Sequence, residues 1–286
     1  MLDQMMLGYQ WGSRFAFSEP PSIPLGSSGT MLSRNVGTSL EFMEHREYVP
    51  GDDLRRIDWN AYARNDRLSV KLYREEVNPH VELLLDVSRS MDLPETQKGA
   101  ATYALTGFFA SATAESRFSF NVYITDHGCR KLGRSHLVPT EWDPFTLDAP
   151  NSPADAIGID PPNWRKRGIR IFVSDFLFLA DPALLVSQLV QGAAVTILVQ
   201  LLAREDADPS DLGNLRLTES ETNQWIESYI DTAAKHRYLR NLARHQENYN
   251  LACRRHGAVF TTLLAEQFLD EKHIDDLLQR ELMRQK

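Results

Sequence analysis

Two carboxylates and two hydroxyls stand out in this sequence because extended chain segments would deliver them to one place. The apolar run Val81-Glu82-Leu83-Leu84-Leu85 leads into Asp86-Val87-Ser88-Arg89-Ser90, and a second run over 169–173 leads into Ser174-Asp175. In a loop leaving a strand, alternate residues turn their side chains the same way. Asp86, Ser88 and Ser90 then share one side, while Val87 and Arg89 face elsewhere. Short oxygen donors of this kind suit a hard divalent cation, magnesium above all, which keeps several waters in an octahedral shell; zinc fits them poorly. On that reading Ser88 and Ser90 are direct ligands, Asp86 and Asp175 hold metal-bound waters, and one coordination position is open to a partner's carboxylate. The alternative is structural. Asp and Ser are good helix caps, so Asp86, Ser88 and Ser90 would cap the following helix, and Asp175 would do the same near Asp181-Pro182.

From residue 81 onward, compact apolar runs alternate with helical periodicity. Strands are expected over 81–85, 118–124, 169–173, 195–199 and 258–263, in runs apolar enough to be buried on both faces. Helices are expected over 95–112 after Pro94, 182–191 stopped by Gly192, 229–256 stopped by Gly257, and 270–284, where Ile274, Leu277, Leu278 and Leu282 form one stripe. This alternation predicts an α/β fold: a mainly parallel sheet with helices on both faces. Ligands of such sheets collect beyond the carboxyl ends of the strands, where the two oxygen-bearing loops lie. The stretches 139–163 and 203–222 read as surface excursions.

Upstream, 18–37 is rich in Pro, Ser and Gly and reads as loop, preceded by a short docking helix. Extended segments follow over 40–48 and 68–77. In Val49-Pro50-Gly51-Asp52, proline presets the first central position and glycine supplies the positive φ of a type II turn. The expected organisation is an N-terminal loop and β segment over 1–80, then the α/β domain over 81–286.

Composition narrows the function. The chain of 286 residues is 42% apolar, enough for a substantial core, and carries a formal net charge of -8. That charge argues against a general nucleic-acid binder. Cys129 and Cys253 have no neighbouring Cys or His at metal-ligand spacing, so neither a zinc site nor a disulfide framework is expected. The longest apolar run, 193–202, is interrupted by Thr196 and Gln200 and spans about half of the ~20 residues that a membrane-crossing helix needs. Together with an N-terminus lacking a basic region followed by an apolar stretch, this leads us to expect a cytoplasmic protein with no integral membrane segment.

The Asp86–Ser90 loop with Asp175 resembles the metal-ion-dependent adhesion site of the von Willebrand factor A family, over roughly 81–286. That family's pattern adds a threonine from an intervening loop. The corresponding stretch here reads Asn151-Ser152-Pro153-Ala154-Asp155, with no threonine to align. A longer resemblance runs through Arg46-Glu47-Tyr48-Val49-Pro50-Gly51-Asp52-Asp53-Leu54-Arg55-Arg56-Ile57-Asp58-Trp59, then Ala63-Arg64 and Leu68-Ser69-Val70-Lys71. It is similar to the bacterial domain-of-unknown-function-58 family, which is von Willebrand A-like and often encoded beside MoxR-type AAA+ ATPases. The resemblance implies a protein-interaction module or adaptor with such an ATPase as partner, with magnesium at Asp86, Ser88, Ser90 and Asp175. Within the signature, arginines interleave with acids, which suggests an internal salt-bridge and turn network with Trp59 as a packing anchor.

Two other functions stay open. A magnesium-dependent hydrolase of the haloacid-dehalogenase kind also uses a strand-end Asp, but Ser88 stands where its general acid would be, so no enzyme is expected. No Gly-x-Ser-x-Gly elbow is present for a serine hydrolase. A metal-free structural scaffold is the non-enzymatic alternative.

Overall fold

A strand buried on both faces has no polar side to show, and the run from His80 to Asp86 behaves accordingly: all seven residues are buried. The computed structural model describes residues 1–18, 40–75, 79–136, 138–220, 224–272 and 274–286; for 40–44, 56 and 72–75 the description is of the backbone. Most of the Pro/Ser/Gly-rich stretch and the expected strand end at 76–77 lie outside these residues.

The chain opens with α1 (Leu2–Gly12) and β1 (Phe15–Phe17), followed by β2 (Leu40–Glu47), α2 (Trp59–Asn65) and β3 (Ser69–Glu75). Next come β4 (His80–Asp86), α3 (Lys98–Glu115), β5 (Ser119–Thr125), β6 (Cys129–Lys131), α4 (Pro153–Ile159), β7 (Ile169–Ser174), α5 (Pro182–Val190) and β8 (Val195–Leu202). The remainder is α6 (Arg204–Ala207), β9 (Gly213–Thr218), β10 (Trp225–Ile230), α7 (Thr232–His256), β11 (Val259–Leu264), α8 (Ala265–Glu271), α9 (Asp275–Gln279) and β12 (Met283–Gln285). Two compact units result: Met1–Pro20 with Pro79–Lys286, and Pro21–Asn78.

In the larger unit a six-stranded sheet has the order β11-β8-β7-β4-β5-β6, parallel except where β6 pairs antiparallel with β5. Side chains alternate along β4. Leu83 and Leu85 join Phe108, Phe109 and Phe268 on one face; Leu84 joins Phe172, Leu198 and Tyr249 on the other. Helix α3 is buried almost all round because α1 covers the side turned away from the sheet. The two helices approach closely at glycines: a Cβ on Gly8 would lie 1.7 Å from the Ala104 carbonyl oxygen, and one on Gly107 would lie 1.9 Å from that of Met5. The N-terminal helix is thus built into this unit, and β1 pairs with β12 to join the two ends of the chain.

The five expected core strands are all present. Helix boundaries differ where local backbone overrides periodicity. Helix α3 begins at Lys98 rather than 95, because Glu95 adopts a left-handed φ of 67° in the turn after Pro94. The helix expected over 229–256 begins at Thr232, because Tyr229 and Ile230 are paired in β10 and Asp231 caps the first turn. The helix expected over 270–284 is broken at Lys272, with φ of 56°, and its end becomes β12. The described part of the 203–222 stretch, up to residue 220, contains α6 and the first strand of a β9–β10 hairpin. The 139–163 stretch is not simply surface, since Trp142, Phe145, Leu147 and Ala149 are buried in the core. Among the described residues no helix is long and apolar enough to cross a membrane.

The smaller unit pairs β2 with β3, antiparallel with a register shift between Phe42 and Glu44. The expected turn is present: Gly51 has φ of 111°, and Asp52 N donates to Val49 O at 3.0 Å. Arg46 bonds Asp52 at 2.7 Å, and Asp58 caps α2 while pairing with His45 and Lys71, so the signature does hold an internal charge network. Trp59, however, is 60% exposed. It stacks edge-on with Tyr62 rather than anchoring a core.

Candidate functional site

Because β4 and β7 are parallel neighbours with Leu85 opposite Val173, their carboxyl ends emerge side by side. Asp86 is fully buried there, and both its oxygens are engaged. Oδ1 accepts from the Ser88 backbone N–H at 2.9 Å, and Oδ2 accepts from the Ser174 hydroxyl at 2.6 Å. Ser174 in turn accepts from Phe176 N at 2.9 Å. The Ser88 and Ser90 hydroxyls lie 3.1 Å apart; Ser88 is buried, and Ser90 is partly open to solvent. Asp175 is buried as well. Its Oδ1 accepts from Leu177 N at 3.0 Å, and its carbonyl accepts from Gln200 Nε2 at 2.9 Å.

All four residues singled out from sequence therefore sit at this sheet edge, and none acts as a conventional helix cap. Asp86 closes a two-residue turn onto Ser88 N. The short 3-10 turn that follows, Arg89–Asp92, and α3 both lack a side-chain cap. Helix α5 is capped by Asp181, not by Asp175.

Burial pushes the Asp86 carboxyl up to about 7, and the negative charge of nearby Asp175 adds to the shift; hydrogen bonds from Ser174 and Ser88 oppose it. The counterion in the cluster is one that sequence reasoning missed. Lys98, 0% exposed at the first position of α3, places its ammonium 3.1 Å from Asp175 Oδ2 and 2.9 Å from Asp206 Oδ2. Burial alone would pull its pKa down; the two carboxylates outweigh burial and raise it. A signal was there to read. Lys98 and Glu115 are the only charged residues in α3, and a cation at a helix N-terminus opposes the helix dipole. Asp206, on α6, also accepts from Ala203 N, and its carbonyl accepts from the Tyr238 hydroxyl of α7 at 2.6 Å.

A threonine does lie close by, in an unexpected place. Thr125 ends β5 opposite Asp86, with its hydroxyl spent on Leu85 O and Val87 N. The 149–152 segment runs beside the loop, with Ala149 paired to Ser88, but the Ser152 hydroxyl is committed to capping α4 through Asp155. Among the described residues no group of three or more His, Cys, Asp or Glu could hold a metal, so a cation here would need the serine oxygens. The donors fit a hard cation in type, being all oxygen: the Ser88 and Ser90 hydroxyls with the Asp86 and Asp175 carboxylates.

The model of the protein family of unknown function DUF58 matches residues 44–248. The chain belongs to that family. The DUF58 match takes in both the Arg46–Trp59 run and the oxygen cluster, and ends within α7. Uncharacterised proteins Mb1516 of Mycobacterium bovis and Rv1480 of Mycobacterium tuberculosis are each 27% identical over 255 residues, covering 84% of this chain and 79% of theirs. Among solved structures, conserved hypothetical protein BatB from Bacteroides thetaiotaomicron aligns with a TM-score of 0.35 at 10% identity, over 71% of this chain and 98% of that one. An aerotolerance-related membrane protein from Bacteroides fragilis aligns with a TM-score of 0.30 at 11% identity, over 69% and 99%. Scores this low do not establish a shared fold.

Proposed function

We propose that this DUF58 protein is a non-catalytic interaction module of von Willebrand factor A-like type, in which the Asp86, Ser88, Ser90 and Asp175 cluster engages a protein partner. The observation that carries this reading is the sealing of Asp86. A nucleophilic carboxylate has to be reached by its substrate, whereas this one is fully buried with both oxygens bonded, and Ser90 is the donor that opens outward. Magnesium, when bound by the serine hydroxyls, with Asp86 and Asp175 acting through its waters, would offer a coordination position to a partner's carboxylate. The strand order with one antiparallel edge, and the cluster's place at the carboxyl ends of the two central strands β4 and β7, support the adhesion-type reading. The β9–β10 hairpin adds contact area. It follows β8 off the same sheet edge and leaves Leu217, Trp225, Ile226 and Tyr229 exposed.

The sequence signature suggests a MoxR-type AAA+ ATPase as partner, which would place the protein in the cytoplasm. The test is affinity capture from native lysate with and without chelator, comparing wild type with Ser88→Ala. An AAA+ ATPase retained by wild type in magnesium and lost both in EDTA and with Ser88→Ala is the expected result. Equal retention in all three conditions would sink the metal-bridged version.

A further inference from the structure

Burying an ammonium group is costly unless carboxylates meet it, and a buried ion pair adds little stability over an apolar packing of the same volume. Lys98 bears that cost at a helix N-terminus, where the dipole adds to it. An apolar residue would serve α3 better, since every other residue of its first four turns is apolar, small or hydroxyl-bearing. What the ammonium does provide is a positive charge within 3.1 Å of both Asp175, at the end of β7, and Asp206, after β8. The rest of Asp175 is held by backbone and amide groups, through Leu177 N and Gln200 Nε2, which fix its position without neutralising it.

We propose that Lys98 is the resident cation of this site: a positioning residue that neutralises Asp175 from inside, holds its loop in place without a divalent ion, and lowers the cluster's affinity for one. The proposal rests on the adhesion-type reading only in its last clause. It gives the site two distinct halves. Asp86, Ser88 and Ser90 form the half that has no cation of its own and reaches solvent at Ser90, and Asp175–Lys98–Asp206 forms the half whose negative charge Lys98 already offsets in part.

The full chain can be tested by thermal melting in excess EDTA and in excess Mn2+, with Mn2+ titration calorimetry, for wild type, Lys98→Met and Lys98→Arg. Wild type and Lys98→Arg should melt at the same temperature as each other in EDTA, and excess Mn2+ should raise both only slightly. Lys98→Met should melt several degrees lower in EDTA, recover in Mn2+, and bind Mn2+ at least tenfold more tightly than wild type. The proposal is overturned if wild type itself melts markedly lower in EDTA, or if Lys98→Met melts like wild type there. Should Lys98→Met fail to fold at all, Lys98→Arg decides: folding like wild type supports a role for the charge, and failure to fold overturns it. If no protein takes up Mn2+, the metal-bridged function and the affinity clause both fall, and the EDTA comparison still judges Lys98 as the counterion of Asp175.

Discussion

Two buried aspartates, Asp58 at the start of α2 in the smaller unit and Asp86 at the end of β4 in the larger one, have pKa values moved in opposite directions. Asp58 accepts from the backbone N–H groups of Asn60 and Ala61 and from His45, with Lys71 3.5 Å away. The Ala61 bond above all, then the His45 bond, hold its carboxyl down to about 2 against the opposing effect of burial. Asp86 also has both oxygens bonded, yet it is pushed up to about 7, because it is buried without a cation of its own and beside Asp175. At Asp58 the hydrogen bonds outweigh burial and Lys71 adds to them, whereas at Asp86 burial and the charge of Asp175 outweigh the hydrogen bonds. Asp58 is a fastener that works when charged, while Asp86 is a charge kept under tension, which a cation or a proton relieves.

The largest effect should come from removing the frame around the tense site. Gly107→Val would drive a side chain into the Met5 carbonyl, force α1 away from α3, and cost on the order of 3 kcal/mol in urea denaturation. A loss under 1 kcal/mol would mean that the α1–α3 contact is looser than its glycines imply.

Asp86→Asn comes next. The folded-state pKa of Asp86 lies above its unfolded value, so the native state holds the proton more tightly. Its contribution to stability is therefore greatest below pH 4, declines as pH rises toward 7, and is a full penalty above 7. Asn mimics the protonated form. In chelator at pH 8, Asp86→Asn should be more stable than wild type by on the order of 2 kcal/mol, with little difference at pH 4, as measured by urea denaturation. Destabilisation at pH 8 would break the contrast with Asp58.

The smallest effect lies on the acid side. The folded pKa of Asp58 is depressed, so its contribution is present above pH 4 and is lost as pH falls toward 2. Amide exchange across α2 and β3 should speed up over that window in wild type and stay nearly flat in Asp58→Asn. High salt should shrink the difference, because His45 and Lys71 are partly open to solvent. No change in wild type between pH 4 and 2 would show that the smaller unit does not depend on this charge.

The sequence by itself determined the five core strands, the Val49–Asp52 turn and the grouping of Asp86, Ser88, Ser90 and Asp175. Each of these rests on local chemistry: continuous apolar runs for strands buried on both faces, a Pro-Gly pair for a positive φ, and short oxygen-bearing side chains at strand ends. It misjudged Trp59, because an aromatic residue reads the same whether it anchors a core or faces solvent. It also misjudged the C-terminal helix, because the apolar stripe from Ile274 to Leu282 is equally well buried by a short helix, a turn and a strand. Only the tertiary structure decided that Ser174 bonds Asp86 across 88 residues and that Lys98 reaches Asp175 across 77 and Asp206 across 108. It decided the direction in which the Asp86 pKa moves as well. A carboxylate's pKa depends on how much water the fold removes and which charges it brings near, and neighbours so distant in sequence are set by the pairing of β4 with β7 and the packing of α3, not by spacing along the chain.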